Sequence, residues 1–327
     1  MLTSQTNLEY RFLGCLLGGA VGDALGFTTE NLSPQRIKTK YGRLTEYKVR
    51  PGRGYFTDDT QLTIALAETL LEGQGFQSRI FKRKLARWWL VPPRLSGRSI
   101  KNASFKCLLG LKNTGSNRPG SGSAMRSAPL ALYYYNQEST LFDMTVECSR
   151  ITHTHPAAIA GALVSTFSIA YCLTHSQLNR QEYLHKIAGV AEQFDKTMSK
   201  NLLALEEMLG QPEEEALKEL LKNSRATGSP VGDVMMTAVY AFLKHPTDFE
   251  QSVLLCVNAG WDTDTMAAIN GNISGAFNGV KSIPESWVKG LENGYKGRDY
   301  LLELGKSLHS HTSQVKKPNL LFATVHN

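Results

Sequence analysis

Apolar residues recur at three- and four-residue spacing along almost the whole chain, as at Leu62, Leu66 and Leu70 and again at Leu202, Leu205 and Leu209. That is the period of a helix with one face turned to a core. Strict alternation of polar and apolar residues is rare, and the best strand candidate is the short segment 44–49, inside a loop. The pattern predicts helices near 7–24, 59–72, 78–90, 99–110, 123–136, 140–149, 155–174, 179–209 (broken near 195–199), 213–223, 230–243, 247–258, 264–278, 284–292 and 297–309. The long interruptions, 27–57 and 112–122, are rich in Gly, Pro, Lys and Arg. Loops of that length in a compact domain often carry function. No linker divides the chain, which predicts one domain. The stretch 151–179 holds no Asp, Glu, Lys or Arg, but Ser165, Thr166 and Ser168 lie inside it and polar residues close its apolar part at Leu173. It reads as a buried helix rather than a membrane span.

Two glycine stripes qualify this picture. Gly14, Gly18, Gly22 and Gly26 step by four, and Gly271, Gly275 and Gly279 do the same. Glycine inside a helix costs about 0.5–1 kcal/mol relative to alanine, so repeated glycines need an offsetting gain. Close approach of another helix or a ligand to that face supplies one, which places both helices at the centre of the fold.

With 327 residues, 42% of them hydrophobic and 20% charged, the chain can close a large core, which excludes disorder. The formal charge of +7 comes from basic residues scattered over many segments with no block of five or six. This favours an anionic partner weakly and reads as a solvated basic surface rather than a nucleic-acid groove. Five cysteines, with no C-x-x-C pair, argue against a disulfide framework or zinc cluster and read as small buried hydrophobes of a reducing compartment. The N-terminus shows no basic region followed by a continuous apolar run. The expectation is a cytoplasmic protein without a membrane or nucleic-acid partner.

Candidate chemistry gathers at four places. Thr57-Asp58-Asp59-Thr60 opens one predicted helix and Asp262-Thr263-Asp264-Thr265 opens another, far downstream and beside the second glycine stripe. A single such cluster is an ordinary N-cap. Two of them, each pairing carboxylates with Thr hydroxyls, suit hard cations such as Mg²⁺ or Mn²⁺, and four Asp balance two divalent ions. Asp23, on the glycine-faced helix, reads as a buried, hydrogen-bonded structural acid. Glu30, just past that helix, opposes the helix dipole and is expected either free in solvent or held by something positive. The Gly/Ser-rich segment Gly120-Ser121-Gly122-Ser123-Ala124-Met125-Arg126 offers backbone N–H groups of the kind that hold phosphates. In Thr152-His153-Thr154-His155-Pro156 the paired histidines lack a third zinc ligand, so capping and ligand hydrogen bonding are expected of them.

In this order, the motifs Leu16 to Gly26 (LLGGAVGDALG), Phe56-Thr57-Asp58-Asp59-Thr60-Gln61, Gly122 to Arg126, Thr152-His153 and Gly260-Trp261-Asp262-Thr263-Asp264-Thr265 resemble the ADP-ribosylglycohydrolase family, over about residues 10–292. The resemblance implies an all-α fold, a compact single-domain orthogonal helical bundle over 1–310 followed by a tail, 311–327. It further implies a binuclear centre of two Mg²⁺ or Mn²⁺ ions held by Thr57, Asp58, Asp59, Asp262, Asp264 and Thr265. Ser121, Gly122, Ser123 and Met125 match the loop that embraces the diphosphate and distal ribose, and His153 matches a ligand-contacting histidine. Glu30 matches an acid that lines or gates the metal site. Asp58, Asp59 and Glu30 would carry the catalytic proton and charge chemistry. Related loops often read Gly-Asn-Gly where this one reads Gly120-Ser121-Gly122. The implied substrate is an ADP-ribosylated protein or an ADP-ribose conjugate. N-linked ADP-ribosyl-arginine is the leading linkage, with O-linked, serine-type conjugates as the nearest rival. The other readings are a silent ADP-ribose binder and a dimetal phosphoesterase, the latter disfavoured by the scarcity of His.

Overall fold

Helical periodicity becomes helix throughout the computed structural model, which describes residues 3–91, 94–223 and 230–315. The first half contains α1 (Thr3–Gly26), α2 (Pro34–Tyr41), α3 (Asp58–Gly73), α4 (Ser78–Trp89), α5 (Arg98–Leu108), α6 (Ala128–Tyr134) and α7 (Glu138–Arg150). The second contains α8 (Pro156–Thr174), α9 (Arg180–Glu192), α10 (Lys196–Met208), α11 (Glu213–Leu220), α12 (Val231–Lys244), α13 (Phe249–Ala259), α14 (Thr263–Asn278), α15 (Glu285–Gly290) and α16 (Arg298–Val315). Among the described residues there is no sheet, only isolated bridges such as Gly54 with Leu291 and Ser116 with His153.

The glycine stripes bring α1 and α14 into contact backbone to backbone. A Cβ on Gly18 would stand 2.4 Å from the Gly271 carbonyl oxygen, and one on Gly275 would stand 2.0 Å from that of Gly14. No side chain fits between the helices, so dispersion contacts of the two backbones offset the glycine entropy cost. Gly279 departs from the expected stripe. It lies just past α14 with φ 78° and its N–H returns to the Gly275 carbonyl, so it ends the helix rather than packing it.

Around this pair the core is continuous. α8 is buried from Ala158 to Leu173 and packs on α14, α9, α7 and α12. It is the one described helix long and apolar enough to cross a membrane, and 89% of its apolar window is buried inside the protein, as a core helix requires. The break expected near 195–199 lies between α9 and α10, where the Asp195 carboxylate accepts the Met198 N–H at 3.0 Å. All five cysteines are free, four of them buried and Cys107 partly so.

Four expectations need correction. Segment 44–49 forms no strand; the Leu44 N–H and C=O are satisfied by the Asn258 side-chain amide at 2.8 and 3.0 Å instead of by a neighbouring strand. The loop 27–57 contains a short helix, α2, started by Ser33 and Pro34 and burying only Ile37. The helix expected over 123–136 becomes a 3-10 turn at Ser121–Ser123 followed by α6, because Gly122 hands its carbonyl to the Arg126 guanidinium and Pro129, which has no N–H, sits in the first turn of α6. The last helix does not stop near 309 and residues 311–315 are not tail. α16 continues to Val315, Thr312 is buried and the His311 ring lies 5.3 Å from that of Tyr133. Residues 316–327 of the expected tail lie outside the described residues.

Candidate active site

The C-terminal end of α1 holds two helix starts in place. Asp23, fully buried, accepts the Thr57 N–H at 2.9 and 3.0 Å, the Thr60 N–H at 3.1 Å and the Thr60 hydroxyl at 2.6 Å, which fixes the first turn of α3. Three turn-residue positions further on, the Gly26 carbonyl accepts the Thr263 hydroxyl at 2.9 Å and fixes the first turn of α14. Asp23 is therefore the structural acid expected from its setting. Burial raises its pKa to about 6, and the hydrogen bonds from Thr60 and Thr57 oppose the rise.

Fixing those turns gathers Thr57, Asp58, Asp59, Asp264 and Thr265, all buried, with Asp262 at the N-cap of α14. Burial pushes the pKa of Asp58, Asp59, Asp262 and Asp264 upward, and the negative neighbours push further: Asp23, Asp58 and Asp262 act on Asp59, and Glu30 and Asp59 act on Asp264. Thr265 lies beside Asp59 and Asp262. None of these aspartates has a Lys or Arg partner among the described residues; Arg126 is the buried cation whose field reaches Asp58.

Buried carboxylates of this kind cost several kcal/mol each unless paired or neutralised. Asp58 Oδ2, Asp59 Oδ2 and Asp264 Oδ1 are buried without a hydrogen-bond partner. Among the described residues no three His, Cys, Asp or Glu side chains are drawn into one ligand cluster. The fit to a metal therefore rests on donor chemistry: orphaned carboxylate oxygens and Thr hydroxyls, with no sulfur or imidazole among them, suit a hard divalent cation.

Glu30 follows α1 and is only partly exposed rather than free in solvent, and no Lys, Arg or His pairs with it among the described residues. Its Oε1 accepts the Asn31 side-chain amide at 3.1 Å, and burial, then Asp262 and Asp23, raise its pKa to about 7. The reason is a backbone clasp: the Asn31 N–H donates to the Trp261 carbonyl and the Trp261 N–H to the Leu32 carbonyl, both at 2.8 Å. This ties the segment carrying Glu30 to the start of α14. Asn31 and Trp261 adopt left-handed conformations, φ 60° and 69°, to make the clasp.

The small-residue loop borders the acids. The Ser121 hydroxyl donates to Asp262 Oδ2 at 3.2 Å. Gly122 has no room for a side chain, since a Cβ there would meet His153 Cε1 at 2.7 Å and Ile100 Cδ1 at 2.9 Å. Ser123 and Met125 turn inward: the Ser123 hydroxyl donates to the Ala158 carbonyl at 2.9 Å and Met125 is core. Their side chains hold the loop, while partly exposed Ser121 turns its hydroxyl to the acidic centre.

Arg126 is a residue whose role the sequence reading left open. It is fully buried, donates to the Gly122 and Cys148 carbonyls and gives Thr152 Oγ1 a 2.7 Å hydrogen bond. Thr152 Oγ1 in turn lies 2.9 Å from His153 Nδ1. The Thr152 oxygen accepts from Arg126 and its one hydroxyl proton has Nδ1 as the acceptor in reach, an arrangement that assigns the His153 proton to Nε2, beneath Gly120. Burial and then the Arg126 charge lower the His153 pKa to about 3, so the ring is neutral. His155, the other member of the pair, caps α8 by accepting the Ala157 N–H at 3.2 Å.

Fold and site together define a class: an all-α protein whose acidic centre is built from two helix starts and edged by a glycine-serine loop. The chain belongs to the ADP-ribosylglycohydrolase family, which it matches over residues 4–318, and it is an enzyme that hydrolyses ADP-ribose conjugates. It is 32% identical to an uncharacterized protein of Archaeoglobus fulgidus, over 95% of this chain and 99% of that one. It is 25% identical to ADP-ribosylhydrolase ARH3 of Mus musculus over 91% of both chains. ADP-ribosylarginine hydrolase Tri1 of Serratia proteamaculans is 26% identical over 85% of this chain and 74% of its own. A solved structure described as an ADP-ribosylglycohydrolase-related protein complex matches with a TM-score of 0.74 and 25% identity, over 94% of this chain and 99% of that one.

Proposed function

We propose that the chain is a cytoplasmic, metal-dependent hydrolase that removes ADP-ribose from modified arginine side chains of proteins. The observation that carries the metal dependence is the set of orphaned oxygens on Asp58, Asp59 and Asp264 at two facing helix starts. Thr57, Asp58, Asp59, Asp262, Asp264 and Thr265 would hold two Mg²⁺ or Mn²⁺ ions. Bound there, the ions would supply charge neutralisation and Lewis acidity toward substrate oxygens. The arginine linkage is supported by the name of the Serratia relative.

In the reaction the bond between the anomeric carbon and the guanidine nitrogen breaks, water oxygen adds to that carbon, and the nitrogen takes up a proton. Positive charge grows on the anomeric carbon as the bond lengthens, and the carboxylates of Asp58, Asp59 and Glu30 stabilise it and exchange the proton with water and the leaving group. Ser121 and the backbone of Gly122 bind the diphosphate and distal ribose, and His153 offers them an Nε2–H donor. Ser123 and Met125 set the loop's shape.

Mass spectrometry of one reaction on an ADP-ribosylated arginine peptide tests this reading. Free ADP-ribose and unmodified arginine are expected. Release of AMP would indicate a phosphoesterase, an unreactive arginine peptide beside a cleaved serine-linked one would indicate the O-linked specificity, and no product from either would indicate a silent binder.

A further inference from the structure

The basic residues are spread along the chain, but the acids are not. From Gly73 to Gln137 there are twelve Lys and Arg and no Asp or Glu, while the rest of the chain carries 24 basic residues against 29 acidic ones. The whole positive excess originates in this one segment, which is built around α4 and α5. The two helices pack on each other, and the Lys82 ammonium ties the start of α4 to the Lys112 carbonyl beyond α5 at 3.1 Å. Arg83, Lys84 and Arg94 are paired with acids from outside the segment, whereas Arg79, Arg87, Arg98, Lys101 and Lys112 are exposed and have no acidic partner among the described residues.

The same surface is apolar. Of the ten large hydrophobic side chains exposed among the described residues, seven lie between 90 and 111, including Leu90, Val91, Phe105, Leu109 and Leu111. The Trp89 and Phe105 rings, 5.8 Å apart between centroids, join the two helices there, and exposed apolar side chains interspersed with cations mark an interaction surface. The surface also adjoins the active site. The Arg94 guanidinium donates to the Phe56 carbonyl at 3.3 Å, next to Thr57, and Ile100 of α5 closes on Gly122 together with His153.

We infer that the outer face of α4 and α5 docks an acidic, leucine-rich segment of the protein that carries the ADP-ribose, so that acids flanking the modified residue select the substrate; this rests on the proposed hydrolase activity. Charge complementarity favours that occupant. A second copy of the chain docked face to face about a two-fold axis would set two strongly basic faces against each other. An anionic membrane would need a long amphipathic helix with a free apolar face, whereas α4 turns Phe81 and Leu85 and α5 turns Ile100 and Ala103 to the core, and Leu90, Val91, Leu95, Leu109 and Leu111 lie beyond the helix ends. Nucleic acid has no use for the exposed leucines between the cations.

The test uses free ADP-ribosyl-arginine and two ADP-ribosyl-arginine peptides, one flanked by Asp and Leu and one by Lys and Ser. It compares the natural protein with an Arg87→Glu/Lys101→Glu/Leu109→Ser variant whose far-UV spectrum is native. The natural protein should prefer the acidic peptide by about tenfold in kcat/KM, through KM. The preference should vanish in the variant, with the free compound hydrolysed equally by both. No preference in the natural protein, or a preference retained by the variant, overturns the inference. Fluorescence anisotropy of the unmodified acidic peptide reads docking without turnover, so failure of the hydrolase reading is seen separately. Salt-sensitive binding lost in the variant supports docking, and no binding overturns it. Tighter binding to phosphatidylserine vesicles or to a DNA duplex, or self-association, lost in the same variant, overturns it in favour of those partners.

Discussion

A buried carboxylate needs an answer to its charge, and the acids of this protein receive different ones. Asp23 is answered by the N–H groups and hydroxyl of α3. Asp58, Asp59 and Asp264 each keep an oxygen with no partner. The residue types at both helix starts were legible in the sequence because the Thr-Asp pattern occurs twice. The setting of Glu30 was not, because it depends on the clasp between Asn31 and Trp261, residues distant in sequence. Glu30→Gln keeps size and hydrogen bonding but loses charge and basicity. It should lower kcat by about a hundredfold or more while calorimetry shows ADP-ribose affinity little changed; unchanged turnover would remove Glu30 from the site. His153 gives a second expectation. Its folded-state pKa lies below its unfolded value, so it favours the native state above about pH 6.5 and withdraws that support as acid is added. Nitrogen-15 NMR should find the ring neutral, protonated on Nε2 and without titration between pH 5 and 8, whereas a titrating ring would contradict the Arg126–Thr152–His153 arrangement.

Among the elements, long helices with strong periodicity were readable from the sequence, and short or interrupted ones were not. α2 buries one apolar side chain, too little to stand out against a polar loop, although Ser33 and Pro34 are an ordinary helix start. The interruption before α6 depends on Arg126 reaching back to Gly122, a contact invisible to periodicity. The glycine stripes foretold the central pair of helices because only backbone contact offsets so many glycines. Gly271→Ala would place a Cβ 2.2 Å from the Gly18 carbonyl oxygen and should cost about 1–3 kcal/mol by urea unfolding. Gly189→Ala on α9, with nothing within 4 Å of its Cβ position, should stabilise by about 0.5–1 kcal/mol. Equal effects at the two sites would contradict the packing described for α1 and α14.

Across the whole molecule, charge is sorted into regions. An acidic centre sits where α1 secures the starts of α3 and α14, and the acid-free segment around α4 and α5 borders it. Composition reported the net charge but hid the sorting, since the sum of +7 conceals a strongly basic segment within an otherwise slightly acidic chain. The central claim is that the acidic centre works as a two-ion site. It is tested most directly by counting bound Mn²⁺ in a titration of chelator-stripped protein while hydrolysis of ADP-ribosyl-arginine is followed. The account predicts about two ions per chain, turnover that rises with their binding, and loss of both in Asp59→Ala and Asp264→Ala proteins that keep their helical spectrum. Full turnover by the stripped protein without added metal would contradict it.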